Sequence, residues 1–262
     1  MSEQKPLSQK IRSGIDGVLC RSMVKRVFPL PPGRYISLCF DDFSKSAATV
    51  GAPMVEAMGW NATFYVAGSY LGVEREHFGE MFDEGDLRRL ARQGHDFGCH
   101  TFDNLNCAKA RPIEIYDQRR KNRAFFRSHG IERVRSFAYP FGAADLAAKK
   151  ALTEDNLALR GVKPGINRSV ADFNILKANG LQASQGGILR ALEELEMLCA
   201  SDGWMIIFTH DVSPDPSPWG VTPEDLEHVL TAVRASGAEV VTVGDMVDRI
   251  LSNEQQADVR AA

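Results

Sequence analysis

Along the chain, short runs of β-branched, aromatic and aliphatic residues alternate with longer segments in which apolar positions recur at helical spacing. The short runs predict strands near Tyr35–Phe40, Ala62–Ala67, Asp96–His100, Arg135–Tyr139, Leu157–Val162, Trp204–Thr209 and Glu239–Val243. Between them, helices are predicted near Ser46–Met58, Asp86–Gln93, Pro112–His129, Ala143–Leu152, Gly187–Ala200 and Pro223–Ser236, with a short final helix near Asp245–Leu251. Pro112 and Pro223 suit first helical turns, and Thr222 stands where a cap is wanted.

Strand–helix alternation of this kind argues for parallel βαβ units and an α/β fold. Seven or so strands in this length favour a distorted or incomplete (β/α)7-type barrel over an open sheet. No linker, repeat or low-complexity stretch interrupts it. Residues 34–252 are therefore expected to form one domain, with residues 1–33 as an extension packing on the barrel and residues 253–262 as a polar, frayed tail.

Composition narrows the partners. The chain has 262 residues, 44% hydrophobic and 25% charged, as ordinary globular proteins do. With 31 Lys and Arg against 34 Asp and Glu, the net charge of −3 gives no general attraction to nucleic acid or an anionic membrane. Cys20, Cys39, Cys99, Cys107 and Cys199 are odd in number, scattered and without a CxxC pair, so neither a zinc knuckle nor a disulfide framework is indicated. The N-terminal stretch lacks a continuous apolar run, Asp16 breaking the only candidate. A cytoplasmic protein without a membrane span is the expectation; oligomeric state has no signature.

Four polar clusters stand at the C-terminal ends of predicted strands: Asp41-Asp42, His100, Pro140-Phe141-Gly142 and His210-Asp211. In a parallel barrel those ends converge on one face, where active sites are built. Singly, each has a bland reading. Asp41-Asp42 suits a helix cap, and His100 or His210 a satisfied core histidine. His100 and Asn104 are spaced i, i+4, which on a helical turn would aim both the same way. Cys39 and Cys99 read as small apolar residues within strands, and His95 as structural.

Taken together, and in order, these segments resemble the polysaccharide deacetylase family, also called the NodB homology domain or carbohydrate esterase family 4, from about Arg34 to Leu251. The family's T-F-D-D stands as Cys39-Phe40-Asp41-Asp42, its H-[ST]-x-x-H as His100-Thr101-Phe102-Asp103-Asn104, its R-x-P-[YF]-G as Ala138-Tyr139-Pro140-Phe141-Gly142, and its late strand ending in His as MIIFTHDV with His210. The fourth, acidic motif has only VKPGIN, Val162–Asn167, in its place.

The resemblance implies the NodB/glycoside hydrolase–deacetylase fold and a metal-dependent hydrolysis of non-peptide C–N bonds: N-deacetylation or N-deformylation of an amino sugar or saccharide precursor. It implies that Asp42, His100 and Asn104 hold one divalent cation, that Asp41 is the general base, that the Phe141 backbone N–H helps to stabilise the oxyanion, and that His210 protonates the departing amine. Pro140, Phe141, Arg160 and Trp219 are the expected substrate contacts, Trp219 as a wall in the Pro-rich loop after His210. Zinc is the first expectation. Asn104 stands where a second histidine is usual, however, and an amide oxygen is a harder, weaker donor, which shifts preference toward Mn, Co or Ni. Ala138 stands where many members carry an arginine that tunes the catalytic aspartate. Arg160, one strand on, is the candidate replacement, the alternative being a surface arginine. Rival readings are an allantoinase-like amidase of small molecules and a non-catalytic carbohydrate-binding relative.

Overall fold

A computed structural model describes residues 23–153, 157–182 and 186–261, with side chains to residue 255. Residues 1–22 of the expected extension lie outside the described residues. In chain order the strands are β1 Val27–Pro29, β2 Arg34–Phe40, β3 Thr63–Val66, β4 Glu74–Arg75, β5 Gly79–Glu80, β6 Asp96–Cys99, β7 Ser136–Ala138, β8 Ala158–Arg160, β9 Val170–Asp172, β10 Asn179–Gly180, β11 Gly203–Thr209 and β12 Glu239–Val240. The α-helices are α1 Ala52–Ala57, α2 Glu84–Arg92, α3 Pro112–Ser128, α4 Leu146–Thr153, α5 Gly187–Cys199, α6 Pro223–Ala235 and α7 Val243–Ala261.

The main sheet runs β10-β11-β2-β3-β6-β7-β8, with β12 on β2, and the pairings are parallel. This is the distorted (β/α)7 barrel that the alternation predicts. The gap between its edge strands is spanned by one extended segment. Leu176 N–H donates to Leu159 O at 2.7 Å and Gly161 N–H to Leu176 O at 2.9 Å, and five residues on, Leu181 N–H donates to Phe208 O at 2.9 Å.

β2 and β11 are buried along nearly their whole length, because the barrel interior covers one face and helices the other. β12 and β3 divide the far edge of β2, the former pairing with Tyr35 and Ile36, the latter with Cys39 and Phe40. β12 ends at Val240, short of the predicted Val243, because the chain turns into α7. The first N–H groups of that helix are satisfied from neighbouring strands: Val243 N–H donates to Thr63 Oγ1 and Gly244 N–H to Asp96 Oδ2, each at 2.9 Å. α7 then continues to Ala261, past Leu251 and through the segment whose polarity predicts a tail.

Other differences are local. The predicted helix from Ser46 opens with a π-helical turn, Ala47–Gly51, before α1. The β1–β9 and β4–β5 antiparallel pairs have no counterpart in the sequence reading. Among the described residues, no helix is long and apolar enough to cross a membrane.

Candidate active site

β2 ends by delivering Asp41 and Asp42. Asp41 N–H still donates to Thr209 O of β11 at 2.8 Å. Asp42 and Phe43 then both take left-handed conformations, each with φ of 60°. That is costly for residues with a Cβ. The Phe43 ring holds the turn, fully buried and stacked on Phe82 with centroids 4.4 Å apart. The expected alternative, a helix cap made by the Asp pair, does not occur: Ser44 Oγ accepts from Ala47 N–H instead.

His100 follows β6 and is buried. Its Nδ1–H donates to Ala138 O at 2.9 Å, which leaves the Nε2 lone pair facing Asp42 Oδ1 at 3.5 Å. Burial lowers its pKa, against the pull of Asp42 and Asp41, so the ring is held neutral with a donor electron pair toward the aspartate. Asn104 reaches the same oxygen, but not from a helix. Residues 101–106 form an irregular loop, with Thr101 and Asn104 at φ of 59° and 52° and Leu105 N–H donating to Thr101 Oγ1 at 2.7 Å. The helical turn expected from the spacing is thus absent, although the convergence it was meant to explain is present. Asn104 Nδ2 donates to Asp42 Oδ1 and to Tyr70 Oη, each at 2.9 Å, while its Oδ1 is buried without a partner. The neighbouring Asp103 accepts from Gln118 and lies outside the cavity lining.

His210 comes from the end of β11. Its Nδ1–H donates to Trp219 O at 3.3 Å and its Nε2 lies 3.9 Å from Asp42 Oδ2. The ring stacks on Phe78 at 5.7 Å between centroids and 11° between planes, and Trp219 packs on the same Phe78. The loop carrying Trp219 is braced by buried Asp211, which accepts from Ser217 Oγ at 2.5 Å and Ser217 N–H at 2.8 Å.

Arg160 sits behind these residues, fully buried at the end of β8. Its Nη2 donates to Asp41 Oδ2 at 2.5 Å, and its guanidinium lies between the rings of Tyr65 and Phe208, 4.8 and 4.6 Å from their centroids. Burial works against the charge, but Asp41 more than offsets it and the Arg160 pKa is raised. Asp41 Oδ1 is buried with no partner. The surface-arginine alternative is therefore wrong, and so is the expectation that Arg160 contacts substrate: it lies behind Asp41 and outside the cavity wall. Tyr65 can support it because Gly98 leaves room; a Cβ there would stand 2.3 Å from the Tyr65 ring.

The cavity itself holds about 610 Å³ and is lined by Asp41, Asp42, His100, Asn104, His210 and Trp219 among others. Phe141, at φ of 60° and 71% exposed, stands on its rim. Pro140 does not line it: that ring is buried behind the rim, so it shapes the turn and is not a contact. Sequence reasoning missed the hairpin of β4 and β5, whose Glu74–Phe78 segment forms one wall. It also missed Tyr70, and it singled out Asp211 without its part in bracing the Trp219 loop. A polar hairpin lacks a hydrophobic alternation to announce it, and Tyr70 carries chemistry only through its neighbour Asn104.

Among the described residues, no group of three or more His, Cys, Asp and Glu side chains converges as a metal cage. Asp42 and His100 are two such residues, and Asn104 beside them turns its amide nitrogen to Asp42 and keeps its oxygen buried without a partner. One carboxylate, one neutral imidazole and one orphaned amide oxygen are together a donor set that suits a divalent ion.

Residues 30–159 match the family model described as polysaccharide deacetylase. No curated protein matches the sequence. Among solved structures, the Xyl-CE4 domain of a multidomain xylanase from the hindgut metagenome of Trinervitermes trinervoides superposes with a TM-score of 0.60 at 18% identity, over 83% of this chain and 91% of that one. A family 4 acetyl xylan esterase from Clostridium thermocellum, solved with a cobalt ion, gives 0.57 at 19% identity over 81% and 90%. A CE4 family pseudoenzyme from Bacillus anthracis gives 0.60 at 14% over 84% and 68%. At these identities the likeness is one of fold.

Proposed function

Because residues 30–159 place this chain in the polysaccharide deacetylase family, we propose that it is a metal-dependent amide hydrolase that removes an acetyl or formyl group from the nitrogen of an amino sugar. The observation that carries this reading is the split environment of Asp41, one oxygen fixed by Arg160 and the other buried without a partner, in one cavity with Asp42, His100, Asn104 and His210.

Asp42, His100 and Asn104 would hold a divalent ion that polarises the acyl carbonyl and acidifies water. Asp41 Oδ1 takes the proton of the attacking water, while Arg160 keeps the other oxygen in place. The Phe141 backbone N–H supports the oxyanion from the cavity rim. His210 Nε2 delivers a proton to the nitrogen as the C–N bond breaks; its other nitrogen is committed to the Trp219 carbonyl, so the ring cannot turn away. Trp219 and Phe78 offer the sugar ring an apolar wall.

The test measures acetate and formate released from N-acyl amino sugars by protein loaded with zinc, manganese, cobalt or nickel. Asp41→Asn and His210→Ala should bind metal and lose turnover by roughly 10²–10⁴-fold. No acid released with any of the four metals would sink the proposal. One observation favours a second reading, a sugar-binding relative without turnover: the Asn104 amide group donates to Asp42 Oδ1, an oxygen that a metal would need. Saturable sugar binding by the same protein without acid release would establish it.

A further inference from the structure

One side of the catalytic cavity is closed by an arch. The hairpin of β4 and β5 follows β3, the loop 211–222 follows β11, and these two strands flank β2 in the sheet. Hairpin and loop meet beyond the end of β2, where Asp41 and Asp42 stand. The His77 ring meets Trp219 edge-on with centroids 5.4 Å apart, and Phe78 packs on Trp219 at 5.7 Å.

The hairpin does not hold this place by its own pairing. It pairs two residues a side, and Glu74 stands opposite Glu80, both exposed, where like charges disfavour the ladder. Its position comes from outside contacts. At its base Met81 bridges to Ser44, and Phe82 N–H donates to Phe43 O at 3.2 Å. The Arg75 guanidinium lies over the Tyr70 ring at 4.5 Å. At its far end the half-buried Phe78 ring packs on both His210 and Trp219. The other half of the arch is fixed as firmly, since buried Asp211 braces the Trp219 loop through Ser217.

This wall stands next to the reacting atoms. His210 Nε2 lies 3.9 Å from Asp42 Oδ2, and the same ring is stacked on Phe78. A nitrogen that takes a proton from Nε2 must come within hydrogen-bond reach of it. It then lies about one ring's thickness from the hairpin, and the sugar unit that carries it abuts the arch. On the other side the rim is formed by Phe141 and Val162, both exposed. The cavity's volume of about 610 Å³ is that of a pocket for one small molecule, roughly 300–1,000 Å³. A unit inside a long chain has neighbours on both sides, and one of them would have to pass through the contact of His77 and Phe78 with Trp219. We infer that the site takes a free amino sugar or the terminal unit of a short saccharide, and that His77, Phe78 and Trp219 determine this selectivity. The inference rests on the hydrolase reading above and names its substrate class.

The test uses the full chain with N-acetylglucosamine and its linear disaccharide and hexasaccharide. Isothermal titration of zinc-loaded Asp41→Asn protein, which lacks the base, should show the hexasaccharide binding at most about threefold more tightly than the disaccharide. Metal-loaded wild type should release acetate from the hexasaccharide only at a terminal unit, as read by mass spectrometry. His77→Ala and Phe78→Ala, singly and together in the Asp41→Asn background, should raise the hexasaccharide preference by about fivefold or more. His77 is exposed, so its variant tests the arch without disturbing the core, and thermal melts check the others. A gain of about tenfold or more from disaccharide to hexasaccharide with the arch intact overturns the inference and leaves the hydrolase reading standing. Acetate lost from interior units does the same, as does a preference that none of the arch variants moves. Length-limited binding with no acetate from any saccharide supports the closed side and sinks the hydrolase reading. Neither binding nor release overturns both.

Discussion

Removing the Arg160 guanidinium should unbalance the site more than any loss of a wall residue. In Arg160→Ala, Asp41 stays 3% exposed, loses the 2.5 Å bond to Nη2 and retains no partner at Oδ1. Deleting one member of a buried pair costs roughly 3–5 kcal/mol, because the survivor is left desolvated. The rings of Tyr65 and Phe208 also lose the group between them, which adds a cavity term. The carboxylate that the mechanism uses as base is then neither held in place nor balanced in charge. Stability and turnover should therefore fall together: about 3 kcal/mol or more by urea unfolding at neutral pH, and about a hundredfold or more in kcat/KM. The structure also indicates how to restore them. Ala138 and Arg160 are register partners on adjacent parallel strands, so their side chains leave the sheet on the same side, one strand apart. Moving the arginine back, in the double variant Arg160→Ala with Ala138→Arg, should recover a large part of both losses. If Arg160→Ala unfolds within 1 kcal/mol of wild type and keeps its activity, the buried-pair argument fails. If the double variant is no better than the single, the guanidinium has not simply changed strands.

Asn104→His should tighten zinc binding in a competition titration, imidazole being the stronger donor for that ion; unchanged affinity would mean that residue 104 does not meet the metal. Phe78→Ala removes the ring stacked on His210 and one wall of the cavity, so kcat should fall with metal affinity unaltered; loss of metal would show that the hairpin serves the ligands instead. Gly98→Ala should push Tyr65 against Arg160 and destabilise by about 1–3 kcal/mol in denaturant melts. Asp96, buried beneath the start of α7, has its pKa raised to about 6, burial outweighing its bonds from Gly244 and Thr63. A raised carboxyl pKa means that the folded state holds the proton longer, so this group's contribution is greatest at low pH and is lost as pH rises from about 4 to about 6. Asp96→Asn should flatten stability across that window relative to wild type, and an unchanged slope would refute the assignment.

What could be read from the sequence, and what could not, divides along physical lines. YISLCF and WMIIFT announce β2 and β11 because strands buried on both faces must be apolar nearly throughout. The polar residues just beyond such strands stand out for the same reason, and Asp41, Asp42, His100 and His210 were legible on that ground. The sequence carries β12 on to Val243 because the residues after Val240 keep a strand-like composition, while the capping groups that turn them into a helix, Thr63 and Asp96, lie more than a hundred residues away in sequence. The same limit hides Tyr70 and Phe78, which the fold alone brings beside Asn104 and His210, so no local pattern marks them.

Arg160 and Asn104 show how far substitution at a site can be judged by spacing. At position 138 an alanine could have meant a lost function, but the charge reappears one strand over, aimed at the same carboxylate, and only the register of β7 with β8 makes the two positions equivalent. Position 104 offers no such relocation. Its amide is placed where a ligand would be, yet its nitrogen is the atom that faces Asp42, and its oxygen is the atom without a partner. A half-turn of the amide about its last torsion would exchange those roles, which is a small rearrangement for a side chain with a two-fold terminal rotor. Metal binding would then have to displace the bonds to Asp42 and Tyr70 before gaining the oxygen as a donor. Affinity should be lower than for a site with a second imidazole, and Tyr70→Phe, which removes one of those bonds, should raise it. A fall in metal affinity on Tyr70→Phe would instead mean that the hydroxyl orients Asn104 for coordination, and that the amide clasp is part of the metal site and not its competitor.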